Sequence, residues 1–303
     1  MMNEKTKKIG LFIGVTFSLS WLIAILFFAL GGKWNTPVSV IVGAVIMVMP
    51  TIGTIIVQKL IYKEPLKPLG ISFKINRWWL IAWLLPIFIA VSTTGVNLLI
   101  PGTSYSPDMA GYFERYEDII APEQLQLMKE QMTEFPIHIF WISLLEGLVA
   151  GLTINAIFGF GEELGWRGLL FKELSYMSFW KSSAIIGFIW GAWHAPLILQ
   201  GHNYPQHPLA GVFMMILWCI LVSPIFNYIR LRSKSVIAAA IMHGTLNGTA
   251  GLALLVVKGG NDLTVGVTGI AGFIVILIVN LCIFFFDRSL EKRPLNVIME
   301  EFK

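Results

Sequence analysis

The stretch "GFGEELGWRG" (159–168) sets two adjacent carboxylates, Glu162 and Glu163, and the cation Arg167 between two long apolar runs. Ionised groups at membrane depth are expensive and need a physical account. The surrounding composition fixes that depth. The chain has 303 residues, is 56% hydrophobic and only 13% charged, and has a mean hydropathy of +0.73. Soluble domains carry about 25% charged residues, so the composition excludes an ordinary soluble globule and specifies a membrane protein. Cys219 and Cys282, the two cysteines, each lie inside an apolar run and read as small buried hydrophobes rather than as a disulfide or metal pair.

Outward from the motif, runs of about 20 apolar residues define the expected spans: 9–30, 38–57, 78–100, 136–158, 180–199, 209–229, 236–257 and 264–286. The expected fold class is all-α, a polytopic transmembrane helical bundle of about eight spans, built as a single integral membrane domain over 1–303. The first run follows a basic segment but exceeds a signal-peptide core in length, and reads as a retained helix. With the N-terminus cytoplasmic, all 22 Lys and Arg except Lys33, Arg115, Lys129 and Lys258 fall on the inner side. The positive-inside bias then puts both termini in the cytoplasm. The basic segment "KEPLKPLGISFKINRWW" (63–79) suits the inner leaflet surface. Residues 101–135 are acidic, and Leu125, Met128 and Met132 recur there at helical spacing after Pro122. That pattern predicts a short amphipathic outer helix, a structural cap or alternatively a substrate-gating lid.

The polar groups at membrane depth are Glu146, the Glu162/Glu163/Arg167 cluster, His194, and the pair His243 and Asn247. On a helix Glu163 and Arg167 share a face and can form an ion pair. Glu162 is rotated by about 100° from its neighbour and is left uncompensated. It therefore needs a water-filled cavity or a proton, and either condition describes a general base. In "WGAWHAP" (190–196) His194 follows Trp190 by one helical turn, where a packing role is the plainer reading. In "MHGTLNG" (242–248) His243 and Asn247 share a face, where such pairs also hold membrane helices together. Gly244 and Gly248 beside them permit close approach of another helix or of a substrate backbone. Three helices each bearing a potential catalytic group point to an intramembrane hydrolytic site.

Together "EExxxR", an aromatic one turn before a His, and "HxxxN" resemble the signature of the CPBP (CAAX protease and bacteriocin-processing, or Abi) intramembrane proteases, related to type II CAAX prenyl endopeptidases. The matching residues are Glu162-Glu163…Arg167, Trp190…His194 and His243…Asn247, within a core at 140–257. Trp190 stands where the family more often has Phe, a change that reads as conservative. The resemblance implies an intramembrane endopeptidase acting on a small or membrane-anchored peptide, in CAAX-type processing or in bacteriocin maturation or self-immunity. It implies Glu162 as the base that activates water, helped by His194, with His243 and Asn247 donating to the oxyanion. Glu163 and Arg167 would fix the motif, with a share of the base role open to Glu163. The family has been described both as metalloendopeptidases and as metal-independent glutamate enzymes. The cofactor is therefore either none or zinc or another divalent metal, with Glu162, Glu163, His194 and His243 as candidate ligands. No HExxH motif is present. The implied partners are a peptide or membrane-anchored protein substrate and the lipid bilayer, with no nucleic acid, and the expected location is a bacterial plasma membrane. Two rival readings are an ion- or proton-coupled transporter, which calls for repeated discontinuous helices, and a catalytically silent membrane scaffold. The charge distribution makes a direct prediction: a tag at either terminus will react with impermeant reagent only from the cytoplasmic side, and external labelling of the C-terminus would break this topology.

Overall fold

The computed structural model describes residues 2–34, 36–117, 122–134, 136–289 and 294–302. Helix α1 (Met2–Ala29) is followed by α2 (Pro37–Thr54), which continues through wider π-helical turns over Ile55–Ile61, and by α3 (Arg77–Asn97). Their starts are encoded locally. Thr36 and Ser39 form a reciprocal capping box with Pro37 in the first turn of α2. The Asn76 side chain accepts the Trp78 amide at 3.0 Å to open α3.

The acidic segment holds β1 (Ser104–Tyr105), α4 (Ala110–Tyr116) and α5 (Pro122–Glu134). The predicted amphipathic helix is therefore present and Leu125 packs on the core, while the side chains of Met128 and Met132 lie outside the described set. Strand β1 pairs antiparallel with β2 (Val257–Lys258). Arg115 donates to the Gly259 carbonyl at 2.6 Å, and Lys258 meets Glu114 at 2.6 Å, a contact that raises the lysine pKa above its ordinary value. These ties fit a fixed cap.

The motif region comprises α6 (Ile139–Leu152), α7 (Ile154–Glu163), π-helical turns over Leu164–Leu170, and α8 (Phe171–Glu173). Then come α9 (Phe179–Trp193), α10 (Ala195–Ile198), α11 (Pro208–Ser233), α12 (Val236–Thr249), α13 (Leu252–Leu255), α14 (Ile270–Ser289) and α15 (Leu295–Phe302). Apart from the short β1–β2 pair, the chain is an integral membrane bundle of helices. Among the described residues 6 helices are long and apolar enough to cross a membrane, or up to 7 when α6 and the α7–α8 helix count as one bent span.

The span pattern differs from the expected one at two places. The run at 136–158 is not one rod: α6 and α7 meet at Thr153 with a 52° bend. The run at 180–199 divides at His194, leaving α9 with 15 residues, too few to count alone. Pro196 accounts for the second break, since it lacks an amide proton and restricts the residue before it. The motif is itself helical through to Glu173, so Arg167, fully buried inside the bundle, does not add to the inner-side surface charge with which it was counted. Cys219 is buried as expected, but Cys282 is exposed on the outside of α14.

Helix α12 is the axis of the bundle, most of its residues are buried, and it packs on α7, α6 and α3. Close approach is made possible by glycine. A Cβ on Gly244 would sit 2.6 Å from the Ala156 backbone nitrogen, and one on Gly159 would sit 2.7 Å from the Ala240 carbonyl. Gly248 faces Gly147 in the same way, at 2.9 Å. Of the two uses open to Gly244 and Gly248, helix packing is the one the fold adopts. Gly244→Ala must therefore separate two backbones, and a destabilisation of about 1–3 kcal/mol is expected. Gly14→Ala, where nothing lies within 4 Å, is expected to be near neutral in the same detergent melts.

Candidate active site

The π-helical turns after α7 bring Glu162, Glu163, Trp166 and Arg167 to the centre of the bundle. Single widened turns of this kind occur frequently at functional sites. Here Gly165 lets the widened helix rest on α2, because a Cβ at that position would lie 2.7 Å from Pro50.

Glu163 and Arg167 form the expected pair, 3.0 Å apart and with both side chains 0% exposed. The guanidinium also donates to Ser223 Oγ at 3.1 Å and lies 4.3 Å from the Trp190 ring centroid and 4.4 Å from that of Phe226. Stacking of a desolvated cation on aromatic faces adds electrostatic attraction. The same Glu163 Oε1 receives His243 Nδ1 at 2.8 Å. That contact leaves the imidazole Nε2 facing Glu162 Oε1 at 3.8 Å. The 100° rotation does not send the two carboxylates to unrelated places, because one imidazole spans both.

Nor is Glu162 uncompensated. Its Oε2 accepts the indole N–H of Trp190 at 2.7 Å and that of Trp166 at 3.2 Å. The indole of Trp190 thus supplies a hydrogen bond that a Phe could not, so the departure noted above is not conservative here. A list of titratable groups passes over tryptophan, yet Trp166 lies one turn after Glu162 and the spacing alone could have suggested it. Ser223, Phe226 and Asn155 carried no sequence signal. Asn155 belongs to the site by joining α7 to the Gly244 carbonyl at 3.2 Å.

Glu162, Trp190, His194, His243, Asn155 and Asn247 line one cavity of about 560 Å³. His194 ends α9, and its Nδ1 donates to the Trp190 carbonyl at 2.8 Å, leaving Nε2 as an acceptor. Asn247 is exposed, and its side chain makes no hydrogen bond among the described residues. Glu163 and Arg167 sit behind the wall of the cavity. Glu146 is exposed on α6, away from it. Of the polar groups expected at membrane depth, Glu162, His194, His243 and Asn247 share this one cavity.

A metal here would need donors that are not already committed. Glu163 Oε1 and His243 Nδ1 are committed to one another, and Glu162 Oε2 is held by two indoles. Among the described residues no three His, Cys, Asp or Glu side chains converge at ligand spacing, whereas zinc sites use three or four protein donors. The arrangement does not fit a zinc centre.

Residues 139–249 match the family described as "Type II CAAX prenyl endopeptidase Rce1-like". The chain is similar to "CAAX prenyl protease 2" of Methanococcus maripaludis, with 34% identity over 96 residues, 28% of this chain and 34% of that protein. The match thus spans about a third of that relative's length. The site residues from Glu162 to Asn247 lie inside the matched family region.

The buried pair generates a stability prediction. Removing one partner strands a buried charge, at about 3–5 kcal/mol, so Arg167→Met should strongly destabilise the protein. Adding Glu163→Gln to that chain should restore part of the loss in thermal melts. If the double substitution is no better than the single one, the charge pairing is not what holds this region.

Proposed function

We propose that this protein, whose residues 139–249 match the Rce1-like family and which is similar to a CAAX prenyl protease over part of its length, is an intramembrane endopeptidase that hydrolyses peptide bonds with water activated by Glu162. The observation that carries the reading is the single cavity that joins Glu162 to His194, His243 and Asn247. A carboxylate pinned through Oε2 by two indoles presents Oε1 in one orientation, as a positioned general base requires. Water bound at Oε1 gives its proton to Glu162 as its oxygen attacks the scissile carbonyl. The carbonyl π electrons move to oxygen, and the Asn247 amide and a protonated His243 Nε2 donate to that oxyanion. Collapse breaks the C–N bond, and the proton held by Glu162 passes to the leaving amine. The acceptor Nε2 of His194 orients the water.

Glu163 acts at one remove. Its contacts to Arg167 and to His243 Nδ1 fix the imidazole, much as a second carboxylate orients a catalytic histidine. It does not line the cavity, which argues against a share in the base role. The substrate proposed is a membrane-anchored or small polypeptide in a bacterial membrane.

Glu162→Gln should abolish proteolysis in a protein that still inserts and melts normally, and retained turnover would exclude Glu162 as the base. Asn247→Ala separates two roles. An oxyanion donor should cost about 10²–10³-fold in kcat with little change in KM. A helix tether should cost about 1 kcal/mol of stability and leave the folded fraction cleaving at its normal rate.

A further inference from the structure

The cavity that holds Glu162 extends to a loop end of the bundle. Its rim is made by loop residues Trp34, His202, Asn203 and Thr268. Three loops meet there: the Trp34 and His202 rings are 4.9 Å apart, and the Tyr204 hydroxyl donates to the Thr268 carbonyl at 2.7 Å. From the rim the cavity runs along the first turns of α2 and α7, where Val40 and Ile154 are exposed, and it ends at Glu162.

On the other side of Glu162 the bundle is packed. Trp166, Leu169, Leu170 and Phe171 are each 0% exposed. Beyond them ion pairs close the far end, with Lys8 meeting both Glu64 and Glu173, and Arg232 meeting Asp287. At about 1.5 Å per residue, His243 and Asn247 stand roughly 10 and 16 Å above the start of α12. In a hydrocarbon core of about 30 Å, that is about a third of the way across for His243 and near mid-depth for Asn247.

The Lys and Arg distribution decides which end is which. The loops that form the rim are those on the basic-poor side, which carry Lys33 and Lys258, whereas the closed end belongs to the side with Lys59, Lys63, Lys67, Arg230 and Arg232. We infer that the cavity admits its substrate from the extracytoplasmic side of the membrane: an apolar polypeptide segment, anchored in or emerging at the outer leaflet, that descends between α2 and α7 to Glu162. The aromatic rim and the apolar α2–α7 wall suit an apolar chain, and a cytoplasmic substrate would have to pass through the packed turns below the site. This rests on the proteolytic reading for the identity of the substrate, but the sidedness of the cavity is independent of it.

The test is cysteine accessibility in membrane vesicles of known orientation, using a charged, membrane-impermeant methanethiosulfonate. Thr268→Cys at the rim and Asn247→Cys at depth are each made in a Cys282→Ser chain, since Cys219 is buried. Both sites should be modified in right-side-out vesicles, with no modification when the reagent meets only the cytoplasmic face. Modification of Asn247→Cys from the cytoplasmic face, or from neither face, would overturn the inference. The same labelling is repeated with Glu162→Gln added. If that substitution leaves proteolysis intact in the otherwise unaltered chain, the catalytic reading falls while the labelling still decides the side of entry. If proteolysis needs Glu162 but labelling comes only from inside, the entry route alone is wrong.

Discussion

Two glutamates side by side in the middle of a membrane bundle must each be compensated, and the architecture follows from how that is done. Glu163 receives a guanidinium and an imidazole, and Glu162 receives two indole N–H groups. Those partners come from the π-helical turns after α7, from α9 and from α12, while α11 supplies Ser223 and Phe226 to hold the guanidinium. Four separate helical segments are thereby fixed in register by one cluster. Transferring such charges from water is costly, and an isolated buried pair rarely repays it. The cluster is therefore better understood as specifying an arrangement than as stabilising the fold.

That arrangement demands backbones closer than ordinary side chains allow. Gly159 and Gly244 bring α7 against α12, and Gly187 and Gly191 bring α9 against α11, where a Cβ would meet the Cys219 carbonyl and Ile216 Cα at 2.5 Å. Lipid tails are as apolar as leucine, so helices in a bilayer associate largely by such close packing. The bend at Thr153 and the break at His194 serve the same end. The first sets α7 across the bundle with its carboxylates inward, and the second ends α9 where the His194 ring can turn into the cavity.

The chemistry inherits an asymmetry from this packing. The side of the cluster that holds Arg167 is fully buried, whereas the side that holds Glu162 opens on a cavity. Two neighbouring residues of the same type thus sit differently, one paired with a guanidinium and a histidine and one facing the cavity. Environment, not identity, separates them, as it does wherever paired carboxylates divide acid, base and structural duties.

Composition and the length of the apolar runs were enough to specify a helical membrane bundle, because a bilayer leaves the backbone few other ways to satisfy its hydrogen bonds. The ion pair of Glu163 and Arg167 was equally legible, since residues one turn apart on a helix must be neighbours. The grouping of Glu162, His194, His243 and Asn247 across three helices was expected from the resemblance of their combined motifs to a known family, not from any local pattern. Contacts between helices were not legible. That the Trp190 indole reaches Glu162 across 28 positions, or that His243 joins both carboxylates from 80 positions away, depends on helix register and rotation, which no local pattern encodes. The break at His194 and the bend at Thr153 were hidden for a related reason: an apolar run has the same composition whether its helix is straight, bent or interrupted. Which carboxylate faces the cavity was settled only by tertiary packing, because burial belongs to the assembled bundle and not to either glutamate.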